Sequence, residues 1–88
     1  MRGEHESILR AKHLLSLYEM IEKTIDRIKM DGTLHNVAPE LLRARREILS
    51  EYNELYLLLK VKYLINRQDF NQLNLRHIEL NEEVDNTN

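Results

Sequence analysis

The sequence predicts an all-α fold: a long antiparallel helical hairpin followed by a short C-terminal helix or helix extension. The 88 residues include only two glycines and one proline, and they are rich in the residue types that favour helices. Two long segments also carry apolar residues at helical spacing, with a short Gly- and Pro-containing segment between them. We expect residues 1–83 to form one helical domain and residues 84–88 a frayed, acidic and polar tail.

The first helix is predicted over residues 4–30, which contain no proline or glycine. Its apolar positions are spaced 3, 4, 3, 4, 3 apart, which is the a/d pattern of a coiled-coil seam. The positions in this seam are Ala11, Leu14, Tyr18, Ile21, Ile25 and Ile28. Asp31-Gly32 is predicted to end the helix, because glycine readily takes the left-handed conformation that closes a last turn.

The second helix is predicted over residues 39–67. Proline is tolerated in a first helical turn, so Pro39 marks the start. One apolar stripe then follows at helical spacing: Leu41, Ile48, Tyr52, Leu55 and Leu59. Tyr18 and Tyr52 are expected at the edges of the core, with their hydroxyl groups in water. Two helices of similar length joined by a short loop are typical of an antiparallel hairpin.

The last twenty residues allow two interpretations. The second helix either continues to about Glu83, because Phe70, Leu73 and His77 repeat in phase with its stripe, or breaks near residues 66–69. In the second case a short third helix folds back, and residues 69–72 serve as its capping box. We favour the break, because Asn and Asp are weak helix formers.

The segment Leu55–Ile65 is the most apolar part of the chain, with nine apolar residues among eleven. A hairpin covers only one side of such a helix. In one interpretation the C-terminal segment covers the rest within one chain. The interpretation we favour is an interface with another chain, because monomers rarely expose a large apolar patch. A homodimer forming a helical bundle would use it. The predicted interface residues are Leu55, Tyr56, Leu58, Leu59, Tyr63, Leu64 and Ile65.

A basic cluster of Arg43, Arg45 and Arg46 suggests an alternative function, a dimeric regulator that binds nucleic acid through phosphate contacts. Glu40 and Glu47 flank the cluster, and the formal net charge is −2. A solvated helix face is therefore the favoured interpretation. Arg45 falls near the apolar stripe and is expected to lay its stem along it with the charged head in water.

No pattern in the sequence indicates catalysis. The chain has no cysteine, its four histidines lack the i,i+4 spacing of helical metal sites, and Gly-rich phosphate loops are missing. We therefore expect no enzyme activity, no cofactor and no metal. The N-terminus does not resemble a signal peptide, and the apolar run is shorter than the ~20 residues of a membrane span. A cytoplasmic, non-enzymatic protein-interaction module is predicted, self-associating and acting as a small adaptor, chaperone or regulator of another protein.

Overall fold

The computed structural model describes residues 2–30 and 38–79, and all regular elements among them are helices: α1 (Arg2–Met30), α2 (Pro39–Val61) and α3 (Arg67–Leu73). The two long helices pack against each other. Glu22 in α1 pairs with Arg45 near the start of α2, whereas Arg10 pairs with Glu51 further along it. The helices therefore run antiparallel, and the predicted all-α hairpin is confirmed.

The hydrophobic core follows the predicted seams and extends beyond the hairpin. Ala11 and Leu14 of α1 pack with Tyr52 and Leu59 of α2, and all four are buried. Residues after α2 complete the same cluster, which also contains Leu15, Leu49, Ile65, Phe70 and Leu75. The residues after α2 add to the stability of the fold, because two helices of an 88-residue chain bury little apolar surface by themselves.

Helix α2 ends at Val61, so the predicted extension to residue 67 is wrong. Leu64 adopts the left-handed conformation with a φ of 57°, and the amide of Ile65 donates to the carbonyl of Leu59 at 3.1 Å. The chain therefore turns back at this point and places Ile65 in the core. No glycine or proline marks this turn in the sequence, since leucine occupies a position that normally favours glycine.

The break before a third helix is confirmed, but its capping residue differs from the prediction. Asn66 is the N-cap of α3, and its Oδ1 accepts a hydrogen bond from the amide of Asp69 at 2.9 Å. Asn74 ends the helix with a φ of 61°. The amide of Leu75 donates to the carbonyl of Phe70, as in a Schellman motif, and both side chains are buried. Paired caps at both ends thus stabilise a helix of only seven residues.

Residues 74–79, here called the return segment, run back along the hairpin without helical structure. The hydroxyl of Tyr52 donates to the carbonyl of Arg76 at 2.6 Å and accepts from its amide at 2.9 Å. Asn53 Nδ2 donates to the carbonyl of Ile78 at 3.1 Å. The helical phase of His77 in the sequence therefore does not correspond to a helix in the fold. The prediction that the hydroxyl of Tyr52 reaches water is also wrong.

We expect Leu64→Gly to raise the free energy of unfolding by about 0.5 kcal/mol. The left-handed conformation costs a non-glycine residue about 1–2 kcal/mol, and the entropy that glycine gains in the unfolded chain offsets part of this relief. Leu64 is 80% exposed, so removing its side chain loses little burial within one chain. Urea unfolding measures the change.

The matched control is Leu57→Gly, which places glycine at another exposed leucine but inside α2. This variant should lose about 1 kcal/mol, the helix-interior penalty of glycine. A loss of similar size at position 64 would contradict the role assigned to its backbone conformation.

Residues 31–37, which include the helix end predicted at Asp31-Gly32, lie outside the described residues. The same holds for residues 80–88, which include the predicted tail.

Candidate functional site

The return segment covers one of the two sides of the hairpin. Its backbone is bound by Tyr52 and Asn53 of α2, and the side chain of Arg76 lies 3.8 Å from Glu19 of α1. Both long helices therefore contribute to the covered side. The apolar residues on the other side have no such cover from the part of the chain that the structure describes.

The uncovered side, here called the open face, carries a second heptad pattern on each long helix. At ~100° per residue, positions 48, 55 and 58 lie on the side of Tyr52 away from Asn53. On α1, positions 10, 17 and 21 lie away from Glu19 by the same rule. The open face consists of Arg10, Leu17, Ile21, Ile48, Glu51, Leu55 and Leu58.

The apolar side chains of the open face are only partly buried in a single chain. Ile48 and Leu55 pack against the core from its edge, and Leu17, Ile21 and Leu58 are also half-buried. Helices with two adjacent apolar seams are typical of bundles, because each helix there contacts two neighbours. Within residues 2–30 and 38–79, each long helix of the hairpin fills one seam of the other.

One charged pair crosses the open face. Arg10 Nη2 lies 2.7 Å from Glu51 Oε1, and the two side chains are 52% and 49% exposed. An exposed pair of this kind contributes about 0–1 kcal/mol to stability, because water screens it. If another apolar surface excluded the water around the pair, the Coulomb attraction between the two charges would be stronger, and the desolvation cost of both charges would oppose part of that gain.

A separate apolar patch lies at the C-terminal end of α2, formed by Leu57, Val61 and Leu64; all three are more than half exposed. We call it the corner patch. Leu64 is one of the predicted interface residues, whereas Leu57 and Val61 are not. Their i,i+4 spacing on the face opposite the core was the available signal, and it was hidden because the whole Leu55–Ile65 segment is apolar.

The structure distributes the predicted interface residues over three environments. Leu55 and Leu58 lie together on the open face. Leu59 and Ile65 are buried in the core of a single chain, so their apolar character is explained without a partner. Leu64 belongs to the corner patch. Of these residues, Leu55 and Leu58 are therefore available to a partner on the open face, whereas Leu59 and Ile65 are not.

The two predicted interface tyrosines are largely engaged within the chain. The ring of Tyr56 stacks on Phe70, with centroids 4.3 Å apart and an angle of 16° between planes. Tyr63 is half-buried at the end of the hairpin. Its hydroxyl lies against Gly3, where an added Cβ would stand 2.6 Å from the Oη atom. These rings join α3 and the start of α1 to α2.

The predicted arginine cluster is divided between the surface and the core. Arg45 is only 5% exposed, and its Nη1 lies 2.9 Å from Oε1 of Glu22. Arg43 and Arg46 are exposed on the surface. Burial of the head of Arg45 corrects the expectation that it lies in water. A phosphate group could not reach it without displacing Glu22, so the geometry does not favour a three-arginine phosphate site.

A shallow cleft beside the return segment brings Ser50, His77 and Glu79 to one place. His77 Nε2 lies 3.9 Å from Glu79 Oε1, and both side chains are more than half exposed. No hydrogen bond joins Ser50 to His77 among the described residues, so the serine lacks the base contact that activates a nucleophile. Within residues 2–30 and 38–79, no three His, Asp or Glu side chains converge to hold a metal ion.

None of the helices in the described part of the chain is long and apolar enough to span a bilayer. A scan of known protein families, a search of curated proteins and a search of solved structures each found no match to this chain. Functional inference therefore depends on the surfaces described above.

Proposed function

We propose that this chain is a non-enzymatic protein-interaction module that self-associates through the open face of its hairpin. The observation that carries the proposal is the second apolar seam of each long helix, which the return segment leaves uncovered. In this role the protein would serve as a small adaptor, chaperone or regulator of another protein.

The composition of the open face supports a protein partner. Leu17, Ile21, Ile48, Leu55 and Leu58 provide branched aliphatic side chains, which pack well between helices. The face also joins the hydrophobic core directly, because Ile48 and Leu55 contact both. A helical surface placed on it would extend the existing core.

The choice of a second copy follows from the shape of the face. Each hairpin presents two parallel rows of apolar side chains, and an identical hairpin presents the same two rows. Stacking the two copies gives a four-helix bundle in which every long helix fills both of its seams. Small domains commonly gain the burial that they lack through such association.

Replacing Leu58 with glutamate is expected to convert the dimer into a monomer. A carboxylate on the open face would have to be buried without a partner charge in the bundle, which costs several kcal/mol. Because Leu58 is half-buried in one chain, the hairpin itself should still fold. Sedimentation velocity measures the mass, and circular dichroism verifies the helix content.

The matched control is Leu57→Glu, the adjacent residue, which lies in the corner patch instead of the open face. This variant should dimerise like the original protein. Dissociation by Leu57→Glu but not by Leu58→Glu would move the interface to the corner patch. A strict monomer of the original protein at high micromolar concentration would contradict self-association.

A further inference from the structure

The open face is apolar and also carries charges of both signs, so two copies of it are complementary in charge. This charge pattern defines how two copies would pack. Among the seven residues that define the open face, Arg10 and Glu51 are the charged ones, and they lie side by side on neighbouring helices. We infer that two hairpins associate about a two-fold axis parallel to the helices, so that Arg10 and Glu51 of both copies form one ring of four alternating charges. This inference rests on the proposed self-association.

Two arrangements can stack the open faces with full overlap of the hairpins. With a two-fold axis perpendicular to the helices, each helix packs on its own counterpart, α2 against α2 of the second copy. Glu51 lies close to the middle of α2, which spans Pro39–Val61. This arrangement therefore brings two Glu51 carboxylates near each other inside an apolar interface, where like charges are strongly unfavourable.

An axis parallel to the helices avoids this repulsion. It places α1 against α2 of the second copy, and each residue remains at its own height along the bundle. Arg10 then has a Glu51 on both sides, one from its own chain at 2.7 Å and one from the second copy. Charges alternate around the bundle, and each is attracted by both neighbours.

The rest of the face supports the same arrangement. Leu17 and Ile48 lie on one side of the charged pair along the hairpin, and Leu55 and Leu58 lie on the other. Apolar layers would thus enclose the ring from above and below and exclude water from it. A buried polar layer of this kind sets register and partner orientation in helical bundles.

The experiment uses two charge-reversal variants, Arg10→Glu and Glu51→Arg, in the full chain. Alone, each variant places four like charges in the ring, so the dimer dissociation constant should rise by about tenfold or more. An equimolar mixture forms mixed dimers with two charges of each sign and should recover most of the dimer. Native mass spectrometry identifies the mixed species, because the two variants differ in mass.

The mixture distinguishes the charge contacts between two copies from the Arg10–Glu51 ion pair within each chain. Mixing does not change the residues inside a chain, so recovery of the dimer reports contacts between copies. The double variant Arg10→Glu, Glu51→Arg restores both kinds of pair and should dimerise like the original protein. If a single variant folds poorly, the double variant still tests the ring, because it restores the ion pair within each chain.

The single-cysteine variants Arg10→Cys and Glu51→Cys identify the axis, because the chain has no other cysteine. A disulfide between the two variants in a mixture is expected for the parallel axis, whereas a disulfide between two copies of Glu51→Cys would show the perpendicular one.

Arg27→Glu and Glu54→Arg are the matched controls, since both side chains are exposed outside the open face. Neither should weaken the dimer, and mixing them should have no effect. If the original protein is dimeric and both open-face variants dimerise equally well, or if mixing gives no mixed dimer, the ring is wrong while self-association stands. A monomeric original protein would overturn the proposed function instead.

Discussion

Replacing Tyr52 with phenylalanine is expected to lower the free energy of unfolding by about 2 kcal/mol and to release the return segment. The side chain is fully buried, and its hydroxyl binds both the amide and the carbonyl of Arg76. Phenylalanine keeps the ring in the core but leaves these two backbone groups without their partner. Unpaired polar groups away from water are more costly than the hydrogen bonds themselves are stabilising.

The same residue should make stability depend on alkaline pH. Burial raises the pKa of the Tyr52 hydroxyl above its ordinary value of 10.0. Between the two pKa values the unfolded chain loses the proton while the folded chain keeps it. The free energy of unfolding should therefore be intact below pH 10 and fall as the pH rises through 10 and beyond. Tyr52→Phe should show a weaker decline over this range.

Urea unfolding and amide hydrogen exchange together check this prediction. Exchange should accelerate in residues 74–79 of Tyr52→Phe while the paired faces of α1 and α2 stay protected. Tyr56→Phe is the control: the Tyr56 ring also packs in this region, but no hydrogen bond of its hydroxyl is seen in the described residues. Equal losses in the two variants would show that the hydroxyl of Tyr52 does not hold the return segment.

Helical periodicity was sufficient to predict the hairpin. The seam positions Ala11, Leu14 and Ile25 of α1 are buried, as are Tyr52 and Leu59 of α2. Local chemistry also indicated the start of α2 at Pro39 and a break before a third helix. These features depend on neighbours within about four residues, which a single sequence displays directly.

The return segment could not be predicted in the same way. Its position depends on hydrogen bonds from Tyr52 and Asn53 to backbone groups about two dozen residues later. The end of α2 was equally hidden, because Leu64 adopts a left-handed conformation without being Gly or Asn. Tertiary packing of Ile65 in the core outweighs the local preference of this leucine.

The apolar segment Leu55–Ile65 shows why the candidate interface was only partly recognised. The sequence indicated more apolar surface than a hairpin covers, but several parts of the fold share that surface. Leu59 is buried in the core, Leu58 lies on the open face and Leu57 belongs to the corner patch. The position of the return segment distinguishes these environments, because among the described residues it covers one side of the hairpin and leaves the other side open.

Removing the carboxylate of Glu22 by Glu22→Ala is expected to lower the free energy of unfolding by about 3 kcal/mol. Its partner Arg45 is almost fully buried between the helices, at 2.9 Å from the Glu22 oxygen. Without Glu22 the guanidinium loses the carboxylate that pairs with it at 2.9 Å, in a place that water reaches poorly. The value lies at the low end for buried pairs, because the Glu22 side chain is itself 34% exposed.

Glu19→Ala is the matched control, because Glu19 lies on the same helix and faces Arg76 at 3.8 Å, but both partners are largely exposed. Glu19→Ala should lower the free energy of unfolding by less than about 1 kcal/mol.

The double variant Glu22→Leu, Arg45→Met replaces the whole pair with apolar groups and should recover most of the stability lost by Glu22→Ala. Urea unfolding at one fixed protein concentration compares all three, since dimerisation would otherwise contribute to the measured stability. Similar losses for Glu19→Ala and Glu22→Ala would mean that water reaches Arg45 freely and that burial of this charge does not govern the packing of α1 on α2.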